Sequence, residues 1–184
     1  MMLMKTTILL FLGLLTFSTS ADCYKYAGKD VISWTAFKTP AKAGVGGEFK
    51  KFTITPKKAQ GTLDEMLNGA TFEIDTTSVH TKNAARDKKI VKNFFSGVTI
   101  KGKVASLSRK EIEVDFMIKD TKRSVPMSYE VKNGKLLAKA TIDVFDFMLH
   151  DNLKAINKAC YALHEGKTWN DVNIALETTL EDCK

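Results

Sequence analysis

Three histidines, three cysteines and a glycine pair are the residues of this 184-residue chain that chemistry would use first. His80, His150 and His164 lie far apart, and none stands in an H-E-x-x-H or comparable spacing, so no metal site is expected. The cysteines show no C-x-x-C redox spacing, and no G-x-S-x-G elbow is present. Gly46 and Gly47 lack the context of a phosphate loop. The clustered carboxylates Glu111, Glu113 and Asp115 alternate along an extended segment as outward charges rather than converging on an acid–base pair. The reading is of a protein that is not an enzyme and needs no cofactor. An enzyme acting on a lipid would need His80, Arg86 and nearby hydroxyls to meet in one pocket, and no motif brings them there.

Cys23, Cys160 and Cys183 allow three single disulfides in an oxidising compartment, each leaving one thiol over. If the first and last strands of a closed barrel are antiparallel neighbours, the start of one lies beside the end of the other, which favours Cys23 with Cys183. Cys160 then serves as a small apolar core residue.

The elements that must position these groups are mostly strands. In residues 109–119, Ile112, Val114, Phe116 and Ile118 fall on one face and the acids on the other. Val125, Met127, Tyr129 and Val131 repeat the alternation, and Asn133-Gly134 is a strong two-residue hairpin signal. Leu136 to Val144 and Val172 to Leu180 follow the same period. With earlier strands around Trp34, Phe52, Phe72 and Ile100, the count reaches about eight. Two helices interrupt them. Asn83 is placed to cap one that carries Ile90, Val91, Phe94 and Phe95. The other spans 150–166, with Asp151 to cap it, Gly166 to end it, and Leu153, Ile156, Cys160 and Leu163 on one face. Closure removes the unpaired edges of so many antiparallel strands. The expected fold is therefore all-β dominated: an eight-stranded antiparallel β-barrel with two short α-helices. Such a barrel is just wide enough to be filled by side chains or to hold one small ligand.

Which of those two holds turns on the aromatic and methionine side chains. Each suits a packed core; as a set they also suit an adaptable apolar pocket. Trp34, Phe72, Ile74, Phe94, Phe95, Phe116, Met127 and Phe145 are the candidates for a cavity wall.

The chain opens with Lys5, an apolar run of 12 residues from Thr6 to Phe17, and the small residues Ser18 to Ala21. That run is short of the roughly 20 residues that span a bilayer and reads as a cleaved signal peptide, residues 1–21. Asp22 before Cys23 argues against lipoprotein processing. One domain, 22–184, would be delivered to the periplasm or secreted. The net charge of +7 is scattered over the chain; it suits a solvated surface, with transient docking to anionic membrane headgroups as a further role. Nucleic-acid binding is not expected, because no basic motif interleaved with aromatics appears.

Residues 76–95, TTSVHTKNAARDKKIVKNFF, resemble the signature of the YceI-like, polyisoprenoid-binding family. Ser78, Val79, Thr81, Asn83, Arg86, Asp87, Phe94 and Phe95 carry the match; GGEFKKF at 46–52 and IKDTKRSVPMSYEV at 118–131 are similar to other family segments. The resemblance implies a lipocalin-like barrel, often exported and dimeric, that holds a polyisoprenoid, a quinone tail or a fatty amide. Lys38 stands where the family's first strand ends in histidine, and residues 145–166 have no counterpart. These departures fall at expected pocket edges. Arg86 is the headgroup candidate through charge-assisted hydrogen bonds, although adjacent Arg86 and Asp87 at a helix start more often lock the helix to the barrel. The function expected is binding, transport or storage of an isoprenoid or other long-chain lipid, the alternative being an interaction protein with a filled barrel.

Overall fold

The computed structural model describes residues 22–183; the expected signal peptide lies outside them. The strands are β1 (Tyr24–Lys38), β2 (Ala43–Phe49), β3 (Phe52–Thr55), β4 (Gln60–Gly61), β5 (Thr71–Ile74), β6 (Val79–His80), β7 (Ile100–Leu107), β8 (Glu111–Ile118), β9 (Thr121–Lys132), β10 (Lys135–Asp143) and β11 (Thr168–Asp182). The helices are α1 (Leu63–Leu67), α2 (Ala84–Asn93) and α3 (His150–Ala159). All strands join one antiparallel sheet in the order β3-β5-β7-β8-β9-β10-β11-β1-β2-β6, with β4 on β1.

The two ends of that order meet. β2 runs into β3 through Lys50 and Lys51, and β5 turns through 76–78 into β6. Across this bend the Lys50 amide donates to Ser78 O at 3.1 Å and the Asp75 amide to Lys51 O at 3.0 Å. Counting each pair as one bent strand and setting aside the two-residue β4 leaves eight, the number expected from the alternation. The two backbone hydrogen bonds tie the ends of the curled sheet together at the bend and so reduce the edge that a flat sheet of this size would leave unpaired.

Alternation decides which side chains enter. On β8, Ile112, Val114, Phe116 and Ile118 are all buried, as are Leu136 and Ala138 on β10. Asn133 and Gly134 both take positive φ, 53° and 70°, so the β9–β10 turn has the mirror-image geometry that matches strand twist.

Among the described residues three α-helices form where two are expected. α1 was missed: at five residues it is too short to show a period, yet Thr62 and Glu65 make a reciprocal capping box around its first turn. It drives Met66, 1% exposed, into the core and stoppers the end of the barrel that holds the disulfide. α3 also corrects the sequence reading. Asp151 lies inside its first turn rather than capping it, and no side chain caps the start at Leu149. The helix ends at Ala159, and a separate 3₁₀ turn, 162–164, leads to left-handed Glu165 and Gly166.

Cys23 is bonded to Cys183, with Cα atoms 5.3 Å apart, and Cys160 is free and half-buried. Beside this staple, burial and then a hydrogen bond to the Asp30 carboxylate push the Tyr26 hydroxyl well above its ordinary pKa.

Candidate functional site

The barrel interior divides into two halves. Toward α1 it is filled by Ile112, Val114, Phe116, Met127, Leu136, Ala138 and Leu180, with Met66 as the plug. Toward α2 and α3 it opens into a cavity of about 380 Å³. β1 contributes Trp34, Ala36, Phe37 and Lys38 to its wall; β10 and β11 contribute Ile142, Val172 and Ile174; α3 contributes Leu153 and Ile156. Ile90 and Phe94 come from α2 and its cap. Phe49, Phe95 and Phe94 form one continuous aromatic surface along it, with edge-to-face centroid distances of 5.5 and 5.1 Å. Such a lining offers dispersion contact and little hydrogen bonding, which suits a hydrocarbon.

Of the eight sequence candidates, Trp34, Phe94 and Phe95 line this cavity, as does Arg86. Five do not. Phe72 and Phe116 pack on each other edge to face at 5.4 Å over Gly102 in the filled half. Met127 is buried there too, Ile74 packs with Phe49 and Val79, and the Phe145 ring stacks on His150. Apolar bulk alone does not separate the two sets. Strand alternation fixes the face a residue takes but not its height along the barrel, and height separates the cavity from the plug. The aliphatic wall at Ile142, Val144, Val172 and Ile174 was legible as inward-facing. Phe147, Trp169 and Lys38 carried no periodic signal.

One polar group in the cavity wall is unpartnered, and those near the open end are largely held by one another. The Nε1 of Trp34 is buried with no hydrogen-bond partner among the described residues. Arg86 is anchored: its Nε donates to Thr81 Oγ1 at 2.7 Å and its Nη2 to Thr81 O at 2.7 Å. Asp87 accepts from the Thr81 amide at 2.9 Å and from the Thr81 hydroxyl. Thr81 is itself 5% exposed, so the pair clamps α2 to the end of β6. Asn83 caps the helix by accepting from the Arg86 amide at 3.0 Å. These contacts give Arg86 the structural role of locking α2 to the barrel; the guanidinium also borders the cavity.

His164 sits at the rim in a fixed tautomer. Asn157 donates through Nδ2 to Gly166 O, so its Oδ1 is free to accept from the Thr168 hydroxyl at 2.8 Å. That commits the only Thr168 proton, and His164 Nδ1 must donate to Thr168 Oγ1, 2.6 Å away. Nε2 is left as an acceptor. Burial, then Lys38, hold the imidazole below its ordinary pKa. Lys38 Nζ in turn donates to Leu163 O at 3.3 Å. Nearby, Lys42 and Lys167 lie over the Trp169 ring at 5.1 and 4.5 Å from its centroid. No group of three or more metal-ligating side chains occurs among the described residues.

The model of the YceI-like domain family matches residues 28–180. Among solved structures, the chain is similar to a polyisoprenoid binding domain from Saccharophagus degradans implicated in plant cell wall breakdown, at 12% identity over 89% of this chain and 100% of that one, TM-score 0.57. It is also similar to BcnA of Burkholderia cenocepacia, at 15% identity over 83% and 96%, TM-score 0.53. A third likeness is to the Campylobacter jejuni YCEI protein, at 16% identity over 77% and 86%, TM-score 0.51. At such identities the likeness is one of fold. No curated protein matches.

Proposed function

Because this chain belongs to the YceI-like domain family, we propose that it binds an isoprenoid or other long-chain lipid in the barrel cavity and carries or stores it, without a chemical step. The observation that carries this reading is the apolar cavity of about 380 Å³ between the plugged half and the two helices. Its volume falls within the roughly 300–1,000 Å³ of small-molecule sites. Each methylene moved from water into such a wall contributes about 0.8 kcal/mol, so a partly inserted chain suffices for tight binding. A barrel filled by its own side chains describes only the half toward α1.

Binding without catalysis is supported by the site's chemistry. Thr81, Arg86 and Asp87 are bonded to one another, and among the described residues the His80 side chain pairs only with Asp87, at 3.8 Å. Delivery to the periplasm or beyond is supported by the Cys23–Cys183 disulfide, since such bonds persist in oxidising compartments.

Native mass spectrometry of the mature protein from its own host, followed by organic extraction, tests the reading. A stoichiometric prenyl or acyl species is the expected result and names the cargo. A clean apo mass, unchanged after soaking with prenyl quinones and fatty acids, would refute it.

A further inference from the structure

Four of the residues lining the cavity are solvent-exposed: Asn83, Ala85, Lys89 and Leu163. The opening therefore lies between the first half of α2 and the 3₁₀ turn after α3. Large apolar side chains gather beside it. Tyr161 is 65% and Leu163 63% exposed, with exposed Ala162 between them. A turn that merely connected α3 to β11 would not place two such side chains in water.

The α2 side of the opening is cationic. Residues 82–93 carry Lys82, Arg86, Lys88, Lys89 and Lys92 against Asp87 alone, and Asp87 is engaged by Thr81. Ala85, Lys88, Lys89 and Lys92 are three and four residues apart, hence on one face of the helix. That face includes two of the residues at the opening. Lys158 and Lys167 are exposed on either side of the Tyr161–Leu163 turn.

We propose that this rim docks the protein on an anionic phospholipid bilayer. Tyr161 and Leu163 enter the headgroup layer, where an amphipathic ring and a leucine are both accommodated, and the α2 lysines meet the lipid phosphates. The cavity mouth then faces the acyl chains, so a lipid can pass between bilayer and barrel without crossing water. The inference rests on the lipid-carrier reading and adds to it the surface and the partner from which cargo is drawn.

Flotation of the mature protein with vesicles of phosphatidylcholine, alone or mixed with phosphatidylglycerol, tests it. Binding of cis-parinaric acid, a fluorescent fatty acid, is measured in parallel without vesicles. The expected result is association with the anionic vesicles at least about tenfold stronger than with the neutral ones, weakened by salt. Lys88→Glu with Lys92→Glu, and separately Tyr161→Asp, should each reduce it by about tenfold while leaving the melting midpoint and cis-parinaric acid binding unchanged. Failure of the wild type to float, equal binding to neutral vesicles, or variants that float like the wild type would overturn the proposal. Vesicle binding without cis-parinaric acid binding would keep the docking surface and count against the carrier reading.

Discussion

The indole of Trp34 lies against the bare backbone of Gly47, its register partner across β1 and β2, so closely that a Cβ on Gly47 would stand 2.4 Å from the ring. Gly47, one of the glycine pair that lacks the context of a phosphate loop, instead makes room for one wall of the cavity. Gly47→Ala must push the ring, which is not a flexible chain end, and should cost about 1–3 kcal/mol. Denaturant titration together with near-ultraviolet circular dichroism would show it. An alanine variant with wild-type stability and spectrum would mean that the indole has somewhere else to go.

Ala36 offers the opposite experiment, because it faces the cavity from β1. Ala36→Phe should occupy space that the cargo needs, lowering lipid affinity by at least about tenfold, with stability held or raised as in other cavity-filling changes. Fluorescent fatty-acid titration and a melting curve read the two effects separately. A variant that binds as well as the wild type would place the cargo elsewhere.

Arg86 divides a clamp from a headgroup ligand. Through Nε and Nη2 it holds Thr81, and the cluster ties α2 to the barrel. Arg86→Met should therefore destabilise the fold by about 1–3 kcal/mol, the cost of leaving buried partners unpaired. Arg86→Lys should not restore it, since lysine lacks the planar fork. Affinity for a neutral apolar ligand, measured well below the melting midpoint, should remain. Its loss with stability intact would instead assign Arg86 to the cargo.

Much of the fold was legible because a half-buried strand repeats every two residues: Ile112, Val114, Phe116 and Ile118 announced both β8 and its face. Asn133-Gly134 announced a turn that only positive φ can make, and Asn83 announced the start of α2. The signal failed where it is local and aperiodic. α1 is a single turn and a half, recognisable only from Thr62 and Glu65. Asp151 has the side chain of a cap, but the chain entering α3 through left-handed Met148 puts Leu149 at the cap position and starts the helix at His150. Phe72 and Phe116, as apolar and aromatic as the cavity residues, lie in the plugged half because ring packing over Gly102 depends on strand stagger, which one strand's sequence does not encode.

His164 gives the stability a dependence on pH. Its folded-state pKa is depressed, first by burial and then by Lys38, so the folded protein binds that proton less readily than the unfolded chain. The associated stability is present in full above the unfolded imidazole value, about 6.5, and is lost as pH falls through the folded value. The melting midpoint should thus fall on acidification below about pH 6.5, less steeply in His164→Gln, and Lys38→Met should raise the imidazole pKa seen by NMR. A His164→Gln profile superimposable on the wild type would show that this proton is not linked to folding.

The bond between Cys23 and Cys183 spans 160 residues of sequence, so nearly every connection in the described domain lies inside one covalent ring. A protease that cuts any loop within that ring opens the chain without releasing a fragment. The severed segments stay tethered at high local concentration and can re-pair their strands as an intramolecular event. A nicked molecule would migrate as one species until reduced and as two afterwards, and it could keep its cavity in surroundings where an unstapled barrel would shed strands.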